Sequence, residues 1–108
     1  MLQDAHTRKI KIPVVAPVGT TTVVEALPNA WLYIHELIGD LEAAGTIDVL
    51  CGVRNVGTFR LDAGQGITLQ DEPGEDNRPR FECKPGEAFR LIVNGGTFNG
   101  AVDYSIRY

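Results

Sequence analysis

Between Asn55 and Phe81 every apolar run is cut after a handful of residues. Val56-Gly-Thr-Phe-Arg-Leu61 and Ile67-Thr-Leu-Gln70 flank the turn Asp62-Ala-Gly-Gln-Gly66, and Asp71-Glu-Pro-Gly-Glu-Asp-Asn-Arg-Pro-Arg80 follows before Phe81. Runs of that length bounded by Gly and Pro are strand-sized, too short for a stable helix. The rhythm continues to the C-terminus, with twelve Gly and six Pro punctuating a chain rich in Val, Ile and Thr, whose branched side chains favour a pleated backbone. The expectation is an all-β fold: a single-domain antiparallel β-sandwich or jelly roll of about eight or nine short strands. A domain of 108 residues buries roughly 65% of its unfolded surface, enough for a core without a metal or disulfide staple.

Residues 1–7 read as a flexible N-terminal tail and residues 8–108 as the domain, entered through a basic arm at Arg8, Lys9 and Lys11. Ile10, Ile12 and Val14 alternate with Lys9 and Lys11, and Pro13 lacks an amide donor, so Arg8 to Val15 is an edge strand or an arm. Thr20 to Leu27 forms a second strand. Ala30 to Ile38 is apolar on both faces, with Leu32, Ile34 and Ile38 on one side and Trp31, Tyr33 and Leu37 on the other, His35 among them. A sandwich strand normally keeps one wet face, so Trp31, Tyr33 and Leu37 are read as an oligomer interface. A helix over Leu32 to Ala44 competes on periodicity, but Gly39-Asp40 interrupts its stripe. Thr46 to Gly52, Arg80 to Lys84 and Glu87 to Val93 continue the strands, the last with Phe89, Leu91 and Val93 inward. Pro85-Gly86 suits the centre of a type II turn, and Asn94-Gly95-Gly96 and Asn99-Gly100 read as tight turns. The last run sets Val102, Tyr104, Ile106 and Tyr108 against Asp103, Ser105 and Arg107.

The net charge of −4 speaks against nucleic acid as a ligand, because phosphate neutralisation needs a basic field. No apolar run reaches the ~20 residues of a membrane span, and the N-terminus lacks the apolar stretch of a secretion signal. No cofactor or metal is expected: His6 and His35 have no Cys or His at ligand spacing, and Asp71, Glu72, Glu75 and Asp76 lack the alternating positions of a calcium loop. They are read as a solvated loop. Nor is a catalytic residue expected. Ser105, the sole serine, sits mid-strand and not on a strained elbow, and a Cys51–His35 thiol pair is disfavoured by its apolar setting. Cys51 and Cys83 lie in strand-like runs and read as buried thiols acting as small hydrophobes; a disulfide requires their strands to be neighbours.

The phrases Gly45-Thr-Ile-Asp-Val49, Leu61-Asp-Ala-Gly-Gln-Gly-Ile-Thr-Leu69, Pro73-Gly-Glu-Asp-Asn-Arg-Pro-Arg-Phe81 and Lys84-Pro-Gly-Glu87 resemble those of small virion proteins of tailed bacteriophages, the capsid decoration or cement class. That resemblance implies a non-enzymatic protein of the virion, assembled in the host cytoplasm, that sits on the outer capsid as a homo-oligomer, typically a trimer, and stabilises the shell. Its partners would be further copies of itself and the major capsid protein, the latter reached through Arg8, Lys9 and Lys11. The alternatives are a carbohydrate- or host-binding sandwich presenting Trp31, and a tail or neck protein of the same viruses.

Overall fold

Nine strands account for nearly all of the regular backbone in a computed structural model that describes residues 9–71 and 78–108. They are β1 (Ile10–Ala16), β2 (Gly19–Val24), β3 (Trp31–Leu41), β4 (Gly45–Cys51), β5 (Arg54–Leu61), β6 (Gly66–Gln70), β7 (Phe81–Cys83), β8 (Phe89–Asn94) and β9 (Phe98–Arg107). Every pairing is antiparallel. One sheet has the order β1-β9-β3-β6, with β7 also pairing β3, and the other the order β2-β8-β4-β5. The helical alternative over Leu32 to Ala44 is absent, because Leu32 to Leu41 lie in the long central strand β3 and residues 42–44 bend the chain into β4.

The two sheets enclose one core. β3 contributes Leu32, Ile34, Leu37 and Leu41; β4 Ile47, Val49 and Cys51; β8 Phe89, Leu91 and Val93; β9 Phe98 and Val102, none more than 1% exposed. Burying each of the larger side chains contributes about 1.5–3 kcal/mol. Tyr104 and Ile106 of β9 pack against the same cluster.

A bulge in β3 decides which of its residues face outward. The pairing with β9 slips between Ile34 and Glu36. An inserted residue reverses the alternation beyond it. Leu32 and Ile34 point inward before the bulge, and Leu37 and Leu41 after it. Leu37, expected beside Trp31 and Tyr33 on the outer face, is therefore a core residue at 1% exposure, while Ile38, expected inside, is 39% exposed.

Local chemistry explains the turns. Pro85 and Gly86 are the central pair of a turn closed by the Glu87 amide donating to the Lys84 carbonyl at 2.9 Å, with Gly86 at φ 88°. Asn99-Gly100, expected to turn the chain, lies inside β9 instead. Gly100 pairs with Gly39 across the sheet, and a Cβ on Gly100 would collide with the Ile38 carbonyl oxygen and stand 2.7 Å from the Gly39 Cα. Glycine there serves close approach of two backbones, not reversal.

Cys51 at the end of β4 and Cys83 in β7 are joined in a disulfide, with Cα atoms 5.0 Å apart. The reading as free thiols is thus corrected. Because β4 and β7 belong to different sheets, the bond staples the two layers at one end of the molecule. In the chain-entropy account, a 32-residue separation contributes about 3.7 kcal/mol.

Candidate functional site

The outer face of the β1-β9-β3 sheet collects the side chains that the core leaves over. Trp31 and Tyr33 leave β3 before the bulge and meet edge to face, ring centres 6.4 Å apart. The Arg107 guanidinium from β9 lies 5.5 Å from the Tyr33 ring centre, a cation–π arrangement that holds the ring. Both aromatics are half-buried, with the core complete without them.

At the bulge, His35 stands between two partners that are remote in sequence. Its Nδ1 is 3.0 Å from Asp71 Oδ1, and its Nε2 is 2.7 Å from Ser105 Oγ. Lys9 Nζ approaches the same aspartate at 3.9 Å. This carboxylate–imidazole–hydroxyl order is that of a nucleophilic triad, which the sequence reading did not anticipate. No local signal pointed to it, because the three residues come from β3, the end of β6 and β9. Ser105 is nonetheless 0% exposed, so a substrate has no path to its hydroxyl. The series works as a cross-brace that satisfies buried polar groups and ties Asp71 to the sheet. His35 does not meet Cys51, whose sulfur is in the disulfide.

Beside Trp31 a groove of about 630 Å³ opens between the sheets, lined by Arg54, Val56, Arg78, Pro79, Arg80, Phe81, Glu82 and Lys84. Arg54 is held by Glu87 through two hydrogen bonds of 2.8 and 2.7 Å. The Arg54 hydrogen bond, helped by the Lys84 backbone amide, brings the Glu87 carboxyl down to about 2 against the opposing effect of burial. Arg80 lies over the Phe81 ring at 5.6 Å. Among the described residues, neither Arg80 nor Lys84 makes an ion pair.

The other anticipated positions fall as follows. Lys9 braces Asp71, and Lys11 is exposed on β1, which is an edge strand built into the sheet along Ile10 to Ala16. The tail, His6, Arg8 and the acidic stretch 72–77 lie outside the described residues. Among the described residues no three His, Cys, Asp or Glu side chains gather as a metal site, and no helix is long and apolar enough to cross a membrane.

Fold and surface together define a disulfide-stapled two-sheet β-sandwich with an aromatic and cationic outer end. No protein-family model and no curated protein matches the chain. Its fold is similar to that of a solved structure of Bacillus endospore appendages, described as a family of disulfide-linked pili, with a TM-score of 0.51, 13% identity, and 94% of this chain and 85% of that one covered. PirA aligns over 94% of each chain at 11% identity, but with a TM-score of 0.36, which supports no argument. At such identities the likeness to the appendage subunit is one of fold.

That likeness corrects the bacteriophage resemblance. Turn phrases such as Lys84-Pro-Gly-Glu87 occur wherever short strands must reverse, so they report sandwich geometry and not a viral lineage. With the resemblance go the readings it carried: the capsid-decoration function, the trimer on a major capsid protein, the Arg8–Lys11 capsid contact, the virion location and the tail or neck alternative.

Proposed function

We propose that this protein is a non-enzymatic structural subunit that associates with copies of itself into a surface appendage of the pilus kind. The observation that carries the reading is the pairing of a complete, stapled sandwich with two half-buried aromatics, Trp31 and Tyr33, left on its outer face. Aromatic side chains in that position are enriched where subunits meet. The fold likeness to the subunit of disulfide-linked pili supplies the class of assembly, and the inaccessible Ser105 hydroxyl favours a mechanical over a chemical role. The Cys51–Cys83 bond suits an oxidising, extracytoplasmic setting. Leu37, inside the core, has no part in the contact.

The oxidised protein, concentrated at neutral pH, is expected to form filaments visible by negative-stain microscopy, with a matching rise in sedimentation coefficient. Trp31→Ala should weaken association while leaving the circular dichroism spectrum intact. A strict monomer throughout the micromolar to millimolar range refutes the proposal.

A further inference from the structure

β3 spans about 33 Å from Trp31 beside the groove to Leu41 at the opposite tip, and charges of opposite sign gather at its two ends. At that tip the turns after β3 and β5 are tied together by the Gly64 amide donating to the Leu41 carbonyl at 2.8 Å. They present Asp40, Glu42 and Asp62 with the small residues Ala43, Ala44, Ala63 and Gly64, all exposed. Arg60, in register with Thr46, lies beside Asp62. Among the described residues the groove end holds Arg80 and Lys84 near Trp31, with Glu82 in its lining and Arg54 compensated by its ion pair with Glu87. A projecting acidic knob of small residues thus stands at one pole, and an open cationic groove with an aromatic wall at the other.

We infer that successive copies join end to end, the carboxylate-bearing tip of one seating in the cationic groove beside Trp31 of the next. The inference rests on the proposed self-assembly and names its interface. The two surfaces are different, so the contact is heterologous and propagates into an open filament unless its rotation closes a ring. Opposite charges set the polarity of addition, because tip against tip and groove against groove repel. The small side chains on the tip let its backbone enter a groove that a bulky turn would not fit. Arg54 is already paired with Glu87, so Arg80 and Lys84 carry the charge that meets the incoming carboxylates.

The test uses two charge-reversed variants of the full chain. Arg80→Glu/Lys84→Glu makes both poles acidic, and Glu42→Lys/Asp62→Lys makes both basic. Wild type is expected to form filaments whose association weakens about tenfold as salt rises from low to several hundred millimolar, as screening requires. Each variant alone should associate on the order of a hundredfold more weakly. An equimolar mixture of the two should recover filaments, because each variant's tip now matches the other's groove, and that recovery also shows both variants to be folded. Arg80→Gln/Lys84→Gln should fall between wild type and the reversed form. Filaments from either variant alone at wild-type concentration, or a mixture that stays dispersed, overturn this interface while leaving self-assembly standing. A wild-type protein that never associates overturns both.

Discussion

Replacing Cys51 and Cys83 together by alanine should be the most damaging conservative change in the chain. The bond closes a separation of 32 residues, for which the lost restriction on the unfolded chain amounts to about 3.7 kcal/mol. Both sulfurs are fully buried, so their removal adds a small packing loss of about 1 kcal/mol. The total approaches half the stability of an ordinary domain, about 5–15 kcal/mol, and corresponds to a fall in Tm of about 15–30 °C. β7 should suffer first, since three residues pair it with β3 and the disulfide is its covalent tie to the other sheet. The assay is urea unfolding followed in parallel by Trp31 emission and far-ultraviolet circular dichroism. The midpoint should drop by more than about 1.5 M and the slope m should rise, because an uncrosslinked unfolded chain exposes more surface. In the variant the fluorescence transition should precede the dichroism transition. A midpoint shift below about 0.5 M with an unchanged slope refutes the reasoning.

Three further outcomes follow from individual contacts. The Glu87 carboxyl, held near 2 mainly by Arg54, lends stability that is complete above the ordinary value of 4.5 and is lost as the pH falls through 2. Because the Arg54 side chain is 42% exposed, screening leaves on the order of 1 kcal/mol; Glu87→Gln should flatten the acid limb of a pH–stability curve by that amount, and superimposable curves would count against the pair. Gly100→Ala should destabilise by about 1–3 kcal/mol, since its Cβ has no room beside Gly39 and Ile38; a chemical denaturation midpoint equal to wild type would show that β3 and β9 do not approach so closely. Ser105→Ala should cost about 1–2 kcal/mol by stranding His35 Nε2, with no change in any esterase background measured on activated esters. A hydrolysis rate that disappears with the hydroxyl would reassign the brace as a catalytic group.

Much of the sandwich could be read from residue order because its signals are local. The proline in β1 marks an edge, Pro85-Gly86 marks a turn, and the alternation of Phe89, Leu91 and Val93 marks a core face, each decided by neighbours a few positions away. The misreadings of the fold involve non-local packing. The bulge at His35 follows from how β3 meets β9, and one added residue was enough to send Leu37 inward and Ile38 outward. Asn99-Gly100 has the composition of a turn, yet its glycine is needed because Gly39 lies opposite it. The pairing of Cys51 with Cys83 required knowing that β7 ends beside β4, which spacing along the chain does not encode. The Asp71–His35–Ser105 brace spans 36 and 70 positions, so no motif could have announced it. The viral resemblance failed for the opposite reason: it leaned on turn phrases that many sandwiches share.

The placement of the sulfur–sulfur link also bears on how such a subunit would respond to tension. The backbone between Cys51 and Cys83 cannot be stretched out while that link holds, and 32 residues correspond to roughly 110 Å of extended chain. A reduced subunit drawn from its termini would therefore lengthen by about that much more than an oxidised one. The oxidised form therefore comes taut sooner, while the reduced form yields over that additional length before it is taut.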